Sequence, residues 1–145
     1  MARILLVEDN RMDVELMLNA LNALPGHRDV HVAHSGQDAL DYLMGRGIFA
    51  DRDNFPLPDL ILLDLKLPAL DGCQILSLVK SMPVIRRVPV IIFTSSTEEQ
   101  DRAQCYDNGC NSYLEKPHSY EGYVELMREL ESYWLLRNIA PVYNT

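Results

Sequence analysis

Three short runs in this chain hold four or more consecutive apolar residues, and so are apolar on both faces of any strand they form: "ARILLV" (Ala2–Val7), "LILL" running into Asp64, and "VPVIIFT" (Val88–Thr94). A strand without a wet face needs cover on both sides, which a parallel sheet with crossover helices supplies. Between the runs lie amphipathic segments. Val14, Met17, Leu18 and Leu21 recur at helical spacing from about Arg11 to Leu24, and Pro25-Gly26 ends that helix. "RDVHVAH" (Arg28–His34) has the mixed character of an edge strand. Ser35-x-x-Asp38 marks a capped start for a helix reaching about Met44.

The pattern then repeats. Asp71-Gly72-Cys73-Gln74 opens a helix whose Ile75, Leu78 and Val79 face one way. Thr97-x-x-Gln100 reads as a capping box for a helix ending near Asn108 and Gly109. "NSYLEKP" is a short fifth strand, and a last helix from about Ser119 to Arg137 carries Tyr120, Tyr123, Val124, Met127, Leu130 and Trp134 on one stripe. Five alternations predict one α/β domain over 1–145, a doubly wound (βα)5 sheet with helices on both faces. Its core spans about 2–134, with a long connection or helix extension at 45–59, a tail at 135–145 and no output domain.

Doubly wound sheets bind ligands beyond the carboxyl ends of their strands, where the strand order reverses. Strand one ends in Glu8 and Asp9, strand three in Asp64, strand four in Thr94 and strand five in Lys116. With order 2-1-3-4-5 the three acids meet, and each pair repels by about 1–4 kcal/mol. A hard divalent cation removes that cost, and Mg²⁺ suits a site with few carboxylates and several waters. An aspartate beside such a cation, a lysine and a hydroxyl is placed to accept a phosphoryl group.

"LLVEDN", "LLDLKLPALDG", "VIIFTSS" and "NSYLEKP" fall in that order along nearly the whole chain. In this the sequence resembles the CheY-like receiver domains of two-component response regulators, whose flavodoxin-like fold has the strand order 2-1-3-4-5. The resemblance implies that Asp64 is the phosphoacceptor. Asp9, Asp64 and the backbone carbonyl of Lys66 would bind Mg²⁺ directly, and Glu8 through water. Thr94 and Lys116 would hold the phosphoryl group, Tyr113 would change rotamer with Thr94, and a cis bond before Pro117 would aim Lys116. His118 departs from the phenylalanine usual in the family. Lys66 lies two residues past Asp64, on the path of a hydrolytic water, which predicts a long-lived phosphoryl group. The 45–59 connection, the "DLKLP" wording and the long last helix resemble the regulators paired with bacterial phytochrome histidine kinases.

A response regulator of this kind takes its phosphoryl group from a sensor histidine kinase and acts through partners. Those are a downstream phosphotransfer protein or a second copy, docked on the helix 4–strand 5–helix 5 face, which Tyr106, Tyr133, Trp134 and the tail extend into a homodimer interface. A phosphorylation-independent docking module is the alternative, disfavoured because the whole pocket is present. A haloacid-dehalogenase-like phosphatase would need a second aspartate where Lys66 stands, so no turnover of an outside substrate is expected. A net charge of −8 disfavours nucleic acid and anionic membranes. No apolar run reaches the roughly 18 residues of a membrane span, and the chain is expected in the cytoplasm. Cys73, Cys105 and Cys110 lack metal-ligand spacing and read as reduced thiols. His31 and His34 point to opposite faces of their strand, against a histidine metal site.

Overall fold

The computed structural model describes residues 2–143. Its five strands are β1 (Ala2–Val7), β2 (Arg28–Ala33), β3 (Leu60–Leu63), β4 (Val90–Thr94) and β5 (Ser112–Glu115), all parallel in the order β2-β1-β3-β4-β5. The helices are α1 (Arg11–Asn22), α2 (Gly36–Met44), α3 (Gly72–Ser81), α4 (Glu99–Asp107) and α5 (Tyr120–Leu130), which runs on as a wider π-type turn over Glu131–Arg137. This is the flavodoxin-like arrangement expected of the strand pattern.

Strand side chains alternate between faces, and the sheet divides the core accordingly. Leu5, Val7, Ile61, Leu63, Val90 and Ile92 pack with Leu40 and Leu43 of α2, Ile75 and Val79 of α3 and Cys105 of α4. On the other face Ile4, Leu6, Leu60, Leu62, Ile91 and Phe93 pack with Met17 and Leu21 of α1 and Tyr123 and Met127 of α5. The central strands thus bury both rows, as their unbroken apolar runs require.

Several boundaries differ from the sequence expectation for local reasons. β4 begins at Val90 rather than Val88, since Pro89 has no N–H to donate; its carbonyl still accepts from Ile61 N at 3.0 Å. α3 and α2 start on the caps read from sequence: Asp71 and Gln74 form a complete capping box, and Ser35 accepts from Asp38 N. The Thr97 capping box does not form. α4 starts one residue later, with Glu98 as its uncapped first flank. Leu78 and Tyr120, expected on buried stripes, are largely exposed, and Leu76 takes the inward position on α3.

The long connection is an ordered cover rather than an extended helix. Gly45 closes α2 in the left-handed conformation at φ 69°, and a 3₁₀ turn follows over Gly47–Ala50. The Arg52 guanidinium donates to the carbonyls of Tyr42, Leu43 and Phe55 at 2.7–3.1 Å, satisfying the end of α2. Phe49 and Phe55 pack on Tyr42 and on His31 of the edge strand, with ring centroids 5.2–6.2 Å apart. At the start of the same edge strand, Arg28 pairs with Glu131 and donates to Leu21 O at 2.7 Å. That contact fastens the π-type turn to α1 and β2. Trp134 packs on the α1–α5 core, and Tyr143 lies against the other cluster. Asn144 and Thr145, the last residues of the tail, lie outside the described residues.

Candidate functional site

The loops that leave β1 and β3 carry the acids, and main-chain bonds hold both loops to the sheet. Glu8 N donates to Ala33 O at 3.0 Å and Asp64 N to Val7 O at 3.1 Å, so both residues continue the ladder past the formal strand ends. Lys116 N donates to Thr94 O at 2.8 Å in the same way. Gly72 lets α3 approach β3 closely: a Cβ there would stand 2.3 Å from Asp64 O and 2.7 Å from Leu65 Cα. Only glycine fits.

These frames gather oxygen atoms of Glu8, Asp9 and Asp64 within 4.8 Å of one another. Glu8 and Asp64 are buried, at 1% and 6% exposure, while Asp9 faces water. The Lys116 ammonium sits among them, 2.9 Å from Glu8 Oε2 and 3.3 Å from Asp64 Oδ2. It also lies 2.8 Å from Asp13 Oδ2. Burial pushes the Glu8 carboxyl up to about 7, helped by the Asp64 charge and opposed by Lys116 and Asn10 N. Burial works against the Lys116 charge as well, yet hydrogen bonds to Asp13 and Glu8 and the Asp64 charge outweigh it and raise its pKa. A lone ammonium is thus balanced against several carboxylates in a dry pocket.

The donor set fits a hard divalent cation. Glu8, Asp9 and Asp64 each offer a carboxylate oxygen, and the solvent-facing side at Asp9 leaves room for waters. Lys66 turns away from the acids. Its ammonium is 3.4 Å from Asp101 Oδ2 on α4, and the Asp101 charge holds its pKa above the ordinary range. Asp101 Oδ2 also accepts from Ser96 Oγ at 2.6 Å.

Thr94 is fully buried, and its Oγ1 accepts from Ser96 N at 3.2 Å. Tyr113 donates its hydroxyl to Ser96 O at 3.3 Å. Both expected switch residues therefore hold the same loop residue. The bond before Pro117 is not cis, contrary to expectation: no peptide bond among the described residues is. A trans X–Pro bond is the lower-energy isomer, and Lys116 reaches its partners from it.

The sequence reading missed Asp13 and Ser96. Asp13 has a recognisable signal: it lies four residues past Asp9 in the first turn of α1, where side chains lean back toward the helix start. An acid there is also an ordinary complement to the helix dipole, which masks a second role. Ser96 has no comparable signal, because its partners come from β4, α4 and β5. The cysteines are free; Cys73 Sγ and Cys105 Sγ are 3.8 Å apart between α3 and α4. No helix among the described residues is long and apolar enough to cross a membrane.

Residues 4–128 match the model of the response regulator receiver domain. The chain is 38% identical over 138 residues to the probable methanogenesis regulatory protein FilR2 of Methanothrix harundinacea, covering 95% of this chain and 86% of that one. It is 34% identical over 132 residues to the response regulator Rcp1 of Synechocystis, covering 91% and 88%. The crystal structure of the Mn(2+)-bound form of Rcp1 superposes with a TM-score of 0.87 at 32% identity, covering 98% of this chain and 100% of that one. The phosphorylated cyanobacterial phytochrome response regulator RcpA superposes with a TM-score of 0.90 at 34% identity, over 97% of this chain and 99% of that one.

Proposed function

Because the chain belongs to the response regulator receiver family of two-component signalling, we propose that it is a phosphorylation switch in which Asp64 accepts a phosphoryl group from a histidine kinase. One observation carries this reading: the buried Asp64 carboxylate lies with Glu8 and Asp9 on one side and the Lys116 ammonium on the other. An Asp64 oxygen attacks phosphorus as the P–N bond to the kinase histidine breaks, and the bonding pair leaves with the imidazole. Asp9, Asp64 and the Lys66 carbonyl would hold Mg²⁺, and Glu8 would reach it through water. When bound, the ion neutralises charge that builds on the phosphoryl oxygens. Lys116 pairs with one of those oxygens. Asp64 is modified in the process and turns over no outside substrate.

Thr94 and Tyr113 carry the signal outward. Rotation of Thr94 to donate its hydroxyl to the phosphoryl group draws Oγ1 away from Ser96 N, from which it accepts, and the Ser96 loop is also what holds the Tyr113 hydroxyl. Loss of one contact loosens the other, which alters the face between α4, β5 and α5. That face is the expected surface for a second copy and for a downstream phosphotransfer protein. The likeness to RcpA and Rcp1 over nearly the whole chain, including the 45–59 cover, supports a phytochrome-type kinase as the phosphate donor.

Intact-protein mass after incubation with a small-molecule phosphodonor tests the switch. A single Mg²⁺-dependent phosphoryl adduct, absent from Asp64→Asn, is expected. No adduct under any condition would favour a docking module that works without phosphate.

A further inference from the structure

Lys116 is the ammonium of the site, and its three N–H groups meet three carboxylates. Two of these, Glu8 and Asp64, are the same groups that gather with Asp9 as a cation cluster. Asp13 is the partner that stands outside the cluster. Its contact is no weaker than the others, at 2.8 Å against 2.9 and 3.3 Å. The Lys116 side chain is nearly buried, while the Asp13 side chain reaches solvent on its outer side. Asp13 is carried by α1 and Lys116 follows β5, so the pair also ties the two elements across the mouth of the pocket.

A divalent cation bound by Asp9 and Asp64, and by Glu8 through water, would repel the ammonium and compete for the carboxylates it shares with Lys116. Lys116 must then give up two of its three partners, and in so dry a place an unpaired ammonium is costly. We propose that Asp13 is a positioning residue: an anchor that holds the Lys116 ammonium beside the pocket when a cation displaces it from Glu8 and Asp64. From that anchor the ammonium remains within reach of a phosphoryl group on Asp64. This inference rests on the reading of Glu8, Asp9 and Asp64 as the cation site. It does not require that Asp64 be phosphorylated.

The expected consequence concerns Mg²⁺ affinity. Without the Asp13 carboxylate, Lys116 has only the oxygens that the cation needs, and the two compete directly. Calorimetric titration of the unphosphorylated protein with Mg²⁺ measures this. Asp13→Asn is expected to weaken binding about tenfold, the scale of one charge-assisted hydrogen bond. In a Lys116→Met background the same substitution is expected to change affinity by less than about threefold, because no ammonium remains to be held. Equal weakening in both backgrounds would mean that Asp13 acts by its bare charge, and the anchor role fails. Unchanged affinity in Asp13→Asn alone would also overturn it. A wild-type protein that binds no Mg²⁺ would remove the cation site and the anchor together. A protein that binds Mg²⁺ yet takes no phosphoryl group would leave the Asp13 result intact and refute the phosphoacceptor reading alone.

Discussion

At the scale of single residues, Asp64 depends on a neighbour that has no side chain. Gly72 opens α3 so close to β3 that an added methyl would collide with main-chain atoms, which cannot rotate away. Gly72→Ala is expected to cost about 1–3 kcal/mol in urea unfolding and to slow phosphorylation by moving Asp64. A wild-type unfolding midpoint would show that the loop relaxes freely. Lys66 raises a different issue. Its ammonium is drawn to Asp101 on α4, 3.4 Å away, and its side chain is largely exposed. An amide at this position can orient a water for in-line attack, as a glutamine does in GTPases. Lys66→Asn is therefore expected to speed dephosphorylation on the order of tenfold, followed as loss of the adduct mass. An unchanged rate would remove Lys66 from the hydrolytic path. The acids, Thr94 and Lys116 were legible in the sequence because each directly follows an apolar strand. Asp13 was not, since an acid in the first turn of a helix has an ordinary explanation.

Among the elements, the 45–59 connection is the least readable from local pattern. Its glycines, prolines and charges suggest a surface loop, yet Phe49 and Phe55 reach back to His31 and Tyr42 and cover the edge strand. Those four residues fall at irregular intervals over positions 31–55, and no periodicity links them. His31 gives a handle on the packing. Burial lowers its pKa below the ordinary 6.5, with the His34 charge acting the same way and Asp29 and Asp38 opposing. The unfolded chain therefore binds the proton more readily. The stability this group contributes is full above about 6.5 and is lost as pH falls through the lower folded value. Thermal melts between about pH 5 and 7 should show wild type losing more stability on acidification than His31→Phe, which keeps the aromatic contact. Equal pH slopes would show that the ring is not desolvated by the cover. α4 has a related history. Its one buried residue is Cys105, so it lacks the apolar stripe that marks a helix boundary, and its start was misread by one residue.

For the whole molecule, the expected assembly uses the α4–β5–α5 face. Tyr106 and Tyr133 are 53% and 54% exposed there and on the following turn, together with Leu136 and Ile139. Trp134, read from the sequence both as part of the last helix's buried stripe and as an interface candidate, packs partly buried against the core. Sedimentation at tens of micromolar is expected to show a dimer, and monomer alone with and without phosphorylation would refute it. Hydrophobic pattern sufficed for the number, type and sequence of elements, because each strand and helix records in its own residues which faces are buried. Strand order was borrowed from the family resemblance, and parallel pairing in the order β2-β1-β3-β4-β5 is what brings residues 8, 64 and 116 together. The side-chain partnerships needed the folded chain. Lys116 divides its charge among Glu8, Asp13 and Asp64, and Ser96 joins Thr94 to Tyr113 and Asp101. The physical reason is one of range. Burial of a face is set by residues a few positions apart, whereas the partners of a buried charge come from elements scores of residues away, and only their packing determines which of them meet.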